Sequence, residues 1–330
     1  MREQAQQTAL VVAALRRIDR AATATPETVH LLAGGLSGSS VYRFALAGEQ
    51  VVLKVTPPGT NGRLIARAHR EIRFYHDLST RVPLPVPRVL GAGLDETAGA
   101  VLLLAAYEPS PPPHRWTEQA YARVAQQLGR FHATFWGAES GTNLPGWLQA
   151  KPRVTIAQCE DAVRRWRALS ERDDLHDTLE PLVGRLNRLL MSVPELDPRM
   201  SAPPLTLCHG DCHAGNLLQD TNGEWIWADW QEVRLGHGVD DLVFFWQRAF
   251  AAADICPPYD AMVEAYHAGL NRVSDLLSRE QLVHDLAWAE LRSWLIDWPD
   301  YLGALPGPRI QRVLERVAML IDRFEKTGEF

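Results

Sequence analysis

Three side-chain oxygens carry the strongest chemical signal in this sequence. Asp211 opens the run Asp211-Cys-His-Ala-Gly-Asn216, so a carboxylate and a carboxamide stand five positions apart in a glycine-containing loop. Asp229 follows beyond Asn222-Gly223, a dipeptide that favours a two-residue hairpin because a type I′ turn needs positive φ at both central positions. In that register Asn216 falls opposite Asp229, with Cβ atoms about 4.5–5.5 Å apart. Two oxygen-bearing side chains held so close suit a hard divalent cation such as Mg²⁺. Asp211, presented on the preceding loop, is then placed to orient or deprotonate a hydroxyl that attacks a phosphoryl group. An ordinary polar loop between strands is the bland alternative, and the hairpin partner makes it the weaker one.

The N-terminal half supplies a second, independent signal. Lys54 sits in Val-Val-Leu-Lys-Val, an apolar strand in which a lone ammonium is costly unless paired. In the helical stretch after it, Leu64, Ala68, Glu71, Tyr75 and Leu78 share one face, so Glu71 is a carboxylate in an apolar stripe. Each charge needs a partner, and a strand Lys held by a helix Glu is how kinase-type sites aim an ammonium at nucleotide phosphates. Both side chains snorkelling to solvent is the rival reading. Upstream, Gly34-Gly35-Leu-Ser37-Gly38-Ser39-Ser40 lies between two strands, where backbone N–H groups and hydroxyls can approach phosphates without Cβ obstruction. It is neither a Walker A loop nor a dinucleotide fingerprint: no Gly-Lys-Ser/Thr follows, and a strand comes next instead of a helix.

These residues need a scaffold. Strands are expected at Val29–Leu32, Val41–Leu46, Gln50–Val55 and Val101–Tyr107, with a loop over Gly91–Gly99 and one helix over Arg63–Leu78. Glu108-Pro-Ser-Pro-Pro-Pro-His114 reads as a stiff extended connector. Beyond it the pattern is helical. Tyr121, Val124, Leu128, Phe131 and Phe135 form one stripe behind Thr117 as N-cap, and further helices are expected near 154–170, 172–192, 239–254, 258–273, 279–297 and 307–326. A short β island at Leu205–Leu207, Leu217-Leu218 and Trp225–Ala228 interrupts them.

The 330 residues exceed what one core usually holds, about 250–300, so two lobes are expected. A net charge of −6 argues against tracking a nucleic-acid backbone. The longest apolar run, Ala100 to Tyr107, is far short of a membrane span. The N-terminal apolar run Ala9–Leu15 precedes its arginines, the reverse of a signal peptide, and reads as an amphipathic surface helix. Four cysteines show no disulfide framework. A zinc reading of Cys208, His209, Cys212 and His213 fails for want of a second ligand cluster. The expectation is a cytoplasmic protein without nucleic-acid or membrane partners.

The motifs together resemble the aminoglycoside phosphotransferase and choline kinase-like family. His209-Gly-Asp211-Cys-His213-Ala-Gly-Asn216-Leu-Leu is similar to its catalytic loop, and Ala228-Asp229-Trp230 to its metal-binding element. Gly236 and Asp241-Leu242 fall where the family has a Gly and an Asp-Leu pair. Leu128-Gly-Arg-Phe-His-Ala133 and Pro85-Val-Pro-Arg-Val-Leu-Gly91 extend the likeness, and Asp229-Trp-Gln231 is closest to the ecdysteroid kinase-like branch.

The resemblance implies an α+β, protein kinase-like two-lobed fold with a small β-rich N-lobe and a large, mainly helical C-lobe. The expected division is a nucleotide-binding lobe over 1–107, a hinge over 108–116, and a C-terminal lobe over 117–330. It implies ATP and Mg²⁺ as cofactors, Asp211 as catalytic base, Asn216 and Asp229 as metal ligands, and Lys54 on the phosphates, held by Glu71. Gly35, Ser37, Gly38 and Ser39 would cover the nucleotide, and Leu104, Ala105, Ala106 and Tyr107 would face the adenine. His209 and Asp241 would support the catalytic loop. Trp288, Glu290, Trp294, Asp297 and Trp298 lie in the C-terminal helices where the family builds its acceptor pocket, and aromatics with carboxylates suit a cationic alcohol. The expected reaction is transfer of the γ-phosphate to a hydroxyl of a small molecule. An aminoglycoside or related antibiotic ranks first, a choline-, sugar- or homoserine-like metabolite second, and a non-catalytic nucleotide-binding pseudokinase last. Only eleven residues separate Asp229 from Asp241, too few for the activation segment of a protein kinase.

Overall fold

The computed structural model describes residues 2–18, 26–32, 39–95, 99–138, 144–200, 204–252 and 256–328. The chain divides into two compact units. The first comprises Met1–Ser110, His209–Asp211 and Gly215–Val233; the second comprises Pro111–Cys208, Cys212–Ala214 and Arg234–Phe330.

In the first unit, β1 (Glu27–Leu32), β2 (Ser40–Leu46), β3 (Glu49–Thr56), β4 (Val89–Asp95) and β5 (Gly99–Ala105) form an antiparallel sheet in the order β1-β2-β3-β5-β4. Alternation decides what each face carries. Tyr42, Phe44, Val51, Leu53, Val101 and Leu103 point to one face and are buried there by Val11, Ala14 and Leu15 of α1 (Arg2–Ile18). The N-terminal helix thus packs one face onto the sheet, and it begins about two turns before and ends about one turn after its apolar run. Lys54 pairs with Leu102 and so belongs to the opposite face, toward α2 (Gly62–Asp77). Asn61 caps α2 by accepting from the Arg63 N–H at 2.8 Å.

One expected loop is a strand. Val89–Asp95 pairs with β5 although Gly91 and Gly93 sit inside it, residues that weaken strand propensity. The cause is the end of α1. A Cβ on Gly91 would lie 2.3 Å from Ile18 Cγ2, and one on Gly93 would lie 3.3 Å from the Arg17 carbonyl oxygen. Glycine lets the helix close onto the sheet.

The second unit is helical: α3 (Glu118–Thr134), α4 (Ile156–Ser170), α5 (His176–Met200), α6 (Gly238–Ala252), α7 (Tyr259–Leu270), α8 (Arg279–Ile296), α9 (Pro299–Gly303) and α10 (Gly307–Thr327). A short antiparallel pair, β7 (Thr206–Cys208) with β10 (Arg234–Gly236), lies among them. Thr117 caps α3, and Tyr121, Val124, Leu128, Phe131 and Phe135 are all buried. α5 runs past the expected stop at 192 and through Pro194 and Pro198. An interior proline costs about 3 kcal/mol, and burial of Leu190, Val193 and Leu196 holds the helix through both. Among the described residues no helix is long and apolar enough to cross a membrane.

α3 and α7 pack closely, and two glycines face opposing backbones there. A Cβ on Gly129 would lie 2.3 Å from the Tyr266 carbonyl oxygen, and one on Gly269 would lie 2.3 Å from that of Gln126. Gly129→Ala should therefore destabilise the protein by about 3 kcal/mol through overpacking, despite alanine's better helix propensity. Denaturant titration checks this. A gain in stability would mean that the crossing yields and propensity decides.

Candidate active site

The site assembles within the first unit from strand, helix and hairpin. Lys54 Nζ donates to Glu71 Oε1 and to Asp229 Oδ1, each at 2.7 Å. Glu71 is 5% exposed at its side chain, Lys54 19% and Asp229 26%. Burial alone would lower the Lys54 pKa, but Glu71 and Asp229 outweigh it and hold the ammonium above its ordinary value. Lys54 is therefore a fixed cation between two anions. An ammonium has three N–H donors, so this geometry leaves a third for an incoming anion.

His209 ties down the Asp211 loop in one tautomer. Its Nδ1 accepts from the Asp211 backbone N–H at 3.3 Å, so Nε2 carries the proton and donates to the Ala228 carbonyl at 3.0 Å. That ring ties the start of the loop to the residue before Asp229. Asn216 Nδ2 donates to the Asp211 carbonyl at 2.8 Å and to Asp211 Oδ2 at 3.2 Å. With its N–H₂ turned to Asp211, Asn216 offers Oδ1 as the ligand atom. That carboxamide oxygen and the Asp229 carboxylate are hard oxygen donors that could hold Mg²⁺. Asp229 Oδ2 also accepts from Gln231 Nε2 at 3.2 Å, a contact absent from the sequence reading.

The hairpin register differs from expectation by one residue. β8 (Leu217–Gln219) pairs with β9 (Trp225–Trp227) as Leu217↔Trp227, Leu218↔Ile226 and Gln219↔Trp225. Asn216 is consequently joined to Ala228, whose N–H donates to the Asn216 carbonyl at 2.9 Å, rather than lying opposite Asp229. The reason is the loop. Asp220 Oδ1 accepts from the N–H groups of Asn222 and Glu224, both at 2.8 Å, and only Gly223 takes positive φ (+79°). This Asx-stabilised loop is one residue longer than a type I′ turn. Asp229 reaches the site by another device, a left-handed conformation at φ 65°, ψ 57° that turns the chain out of the strand. The start of the proline stretch, β6 (Glu108–Pro109), adds an edge strand to β8.

The other expected nucleotide residues divide. Gly35, Ser37 and Gly38 lie outside the described residues. Ser39 Oγ is 2.6 Å from Thr56 Oγ1. The Ala105 N–H donates to the Arg88 carbonyl at 2.9 Å and the Ala106 N–H to the Gln50 carbonyl at 3.0 Å, so neither is available to a base. Leu104 is buried near the end of β5, paired with Val52 on one side and Val89 on the other.

In the second unit, Asp241 is buried in α6 with Oδ2 3.3 Å from His132 Nε2, and His132 Nδ1 is 2.8 Å from the Tyr266 hydroxyl. Cys208, next to His209 in sequence, has its sulfur within 4.8 Å of both ligand-type atoms of that pair. Asp241 thus sits with His132 beside Cys208, the last residue of the strand Thr206–Cys208. The proposed acceptor cluster is a correction. Trp288, Trp294 and Trp298 are buried, and their indole N–H groups donate to Asp197, Glu290 and Gln247 respectively. Glu290 is 0% exposed and takes a two-point contact from Arg316, 2.7 Å at each oxygen. Arg316 also lies over the rings of Trp246 and Tyr259, 5.1 and 4.9 Å from their centroids. The residue types suited to a cation are there, and the protein's own guanidinium fills the place. Asp297 is exposed at the end of α8.

Comparison with known proteins gives a family and a fold. The model of the phosphotransferase enzyme family, APH, matches residues 28–276. No individual curated protein matches in sequence. Among solved structures, the GDP complex of aminoglycoside 2′-phosphotransferase-IIIa is similar at a TM-score of 0.61 and 13% identity, covering 96% of this chain and 99% of that one. A microcompartment-associated aminopropanol kinase gives 0.61 and 15%, covering 97% and 98%. A choline kinase from Cryptosporidium parvum Iowa II gives 0.60 and 12%, covering 96% and 97%. At these identities the likeness establishes the protein kinase-like fold.

Proposed function

Because this chain belongs to the phosphotransferase enzyme family, we propose that it is a kinase that moves the γ-phosphate of Mg·ATP to a hydroxyl of a small amine-bearing alcohol. The observation that carries the reading is Lys54, held between Glu71 and Asp229 beside a loop in which Asn216 braces Asp211. Phosphoryl transfer asks mainly for positioning and charge neutralisation. In this reading Lys54 directs its remaining N–H to the phosphates, Glu71 fixes that direction, and Asn216 with Asp229 holds the metal. A divalent cation held there would supply neutralisation of the negative charge that develops in transfer. Asp211 accepts or steers the proton of the attacking hydroxyl. The reaction requires ATP, so we place it in the cytoplasm.

Three similar folds lend support to this acceptor class. An aminoglycoside, aminopropanol and choline are all alcohols that carry an amino or ammonium group. A chain of net charge −6 suits such a partner. The experiment is ADP release from Mg·ATP across aminoglycosides, amino alcohols, choline-like amines and amine-free sugars. Turnover confined to the amine-bearing members is the expected outcome. Activity on neutral sugars alone would overturn the acceptor class, and failure to bind ATP would overturn the reaction.

A further inference from the structure

The residues just after Asp229 touch both α2 and the loop that carries Asp211. Trp230–Glu232 form a single tight turn. The Trp230 ring stacks on Phe74 of α2, centroids 4.0 Å apart and planes 7° from parallel. Arg70 Nη1 donates to the Gln231 carbonyl at 2.7 Å and to Glu232 Oε2 at 3.3 Å, while Arg67 Nε pairs with Glu232 Oε1. Arg67, Arg70 and Phe74 are one stripe of α2 at i, i+3 and i+7, and Glu71 lies beside it. The carbonyl of Glu232 meets the catalytic loop as well. Gly210 has φ +83°, and a Cβ there would lie 2.1 Å from the Glu232 oxygen.

Glu232 therefore joins three pieces: through its carboxylate the helix that carries Glu71, through its backbone the loop that carries Asp211, and through the chain the Asp229 turn. That turn needs support. A non-glycine residue in the left-handed region costs about 1–3 kcal/mol and persists only where the surroundings over-determine it. Exposed ion pairs contribute little to stability, but Glu232, Arg67 and Arg70 are only 20%, 23% and 29% exposed at their side chains. Their contribution is orientation.

We propose that Glu232, clamped by Arg67 and Arg70, is a positioning residue that locks α2 to the Asp229 turn. It keeps Lys54, Glu71 and Asp229 in register without an activation segment. The proposal rests on the kinase reading for its effect on transfer, and its mechanical part stands apart from that reading.

Glu232→Gln keeps the shape and removes the charge; Glu232→Asp keeps the charge. Hydrogen exchange of residues 62–77 and 229–233 is measured together with the Mg²⁺ dependence of ADP binding. For Glu232→Gln, exchange in both segments should rise, and the Mg²⁺ needed for half-maximal binding should rise about tenfold, the size of one lost charge-assisted hydrogen bond. Glu232→Asp should restore much of both. Unchanged exchange in 62–77, or a lower melting temperature with the wild-type Mg²⁺ dependence, overturns the proposal. Should the wild type show no Mg²⁺-linked nucleotide binding, the kinase reading falls. Exchange then still decides the lock: faster in 62–77 for Glu232→Gln upholds it, and unchanged refutes it.

Discussion

Asp211→Asn should leave Mg·ADP binding intact and lower turnover by about 10²–10⁴-fold, the usual contribution of a positioned acid or base. The substitution is close to shape-neutral. Asn216 Nδ2 donates to Asp211 Oδ2 at 3.2 Å, and an Asn carbonyl can accept in its place. The loop is also fixed by backbone contacts that the change does not touch, from the Asp211 N–H to His209 and from Asn216 to the Asp211 carbonyl. Loss of turnover without loss of fold or binding therefore isolates the carboxylate. ADP release at saturating nucleotide, with calorimetry of Mg·ADP binding, makes the test. Turnover within tenfold of wild type would remove Asp211 from the chemistry.

Lys54→Met should be more damaging, because it strikes chemistry and stability together. Removing a cation aimed at developing phosphate charge costs roughly 10²–10³-fold in turnover, by analogy with deleting one donor to an oxyanion. It also leaves Glu71 buried beside Asp229 with their common cation gone. Breaking a buried pair costs about 3–5 kcal/mol. Partial exposure of Lys54 and Asp229 reduces this to about 2–3 kcal/mol.

The pH dependence has a definite sign. Burial pushes the Glu71 carboxyl up, and Lys54 opposes that push. In the variant the opposition is gone, so the folded-state pKa stands further above the unfolded one. Stability linked to a raised pKa is present below the unfolded value and lost as pH rises through the folded one. The deficit against wild type should therefore grow from acidic toward neutral pH. Adding Glu71→Gln should recover stability at neutral pH and leave turnover lost. Denaturant midpoints at two pH values, with and without the second change, decide the matter. A pH-independent deficit would mean that lost packing, not an uncompensated carboxylate, is responsible.

The pairing of Lys54 with Glu71 was more legible in the sequence than the geometry around it. Lys54 and Glu71 each broke an apolar pattern, and a charge in an apolar stripe implies a partner; they meet at 2.7 Å. Asp229 was placed correctly beside the site for the wrong reason. The Asn222-Gly223 signal is real, but the Asp220 side chain reshapes the loop, and side-chain competition for backbone donors is invisible to a dipeptide rule. Gly91 and Gly93 read as loop because strand propensity sees one residue at a time, whereas their reason is a helix some 75 residues upstream. The C-terminal tryptophans failed differently. Aromatics and carboxylates at helical spacing describe a cation site and a sealed core equally well, and only position shows that Arg316 is the cation. Arg67 and Arg70 offered a stripe on α2, but nothing in the sequence marks Glu232 as its partner.

One property of the first unit has a bearing on how the chain can be made and cut. Its last segment, Gly215–Val233, is separated in sequence from Met1–Ser110 by a stretch that belongs mostly to the other unit. During synthesis the sheet has all five strands once residue 105 has emerged, yet Lys54 must wait more than a hundred residues for Asp229, and Phe74 for Trp230. Until then a buried ion pair lacks its third member and an aromatic face is open to solvent. The proline stretch at 108–114 looks like a natural place to divide the gene. A unit boundary falls within it, but a fragment ending there would hold the sheet and Lys54 without the hairpin that brings Asp229. Fusions and truncations of this enzyme should treat residues 1–233 as inseparable.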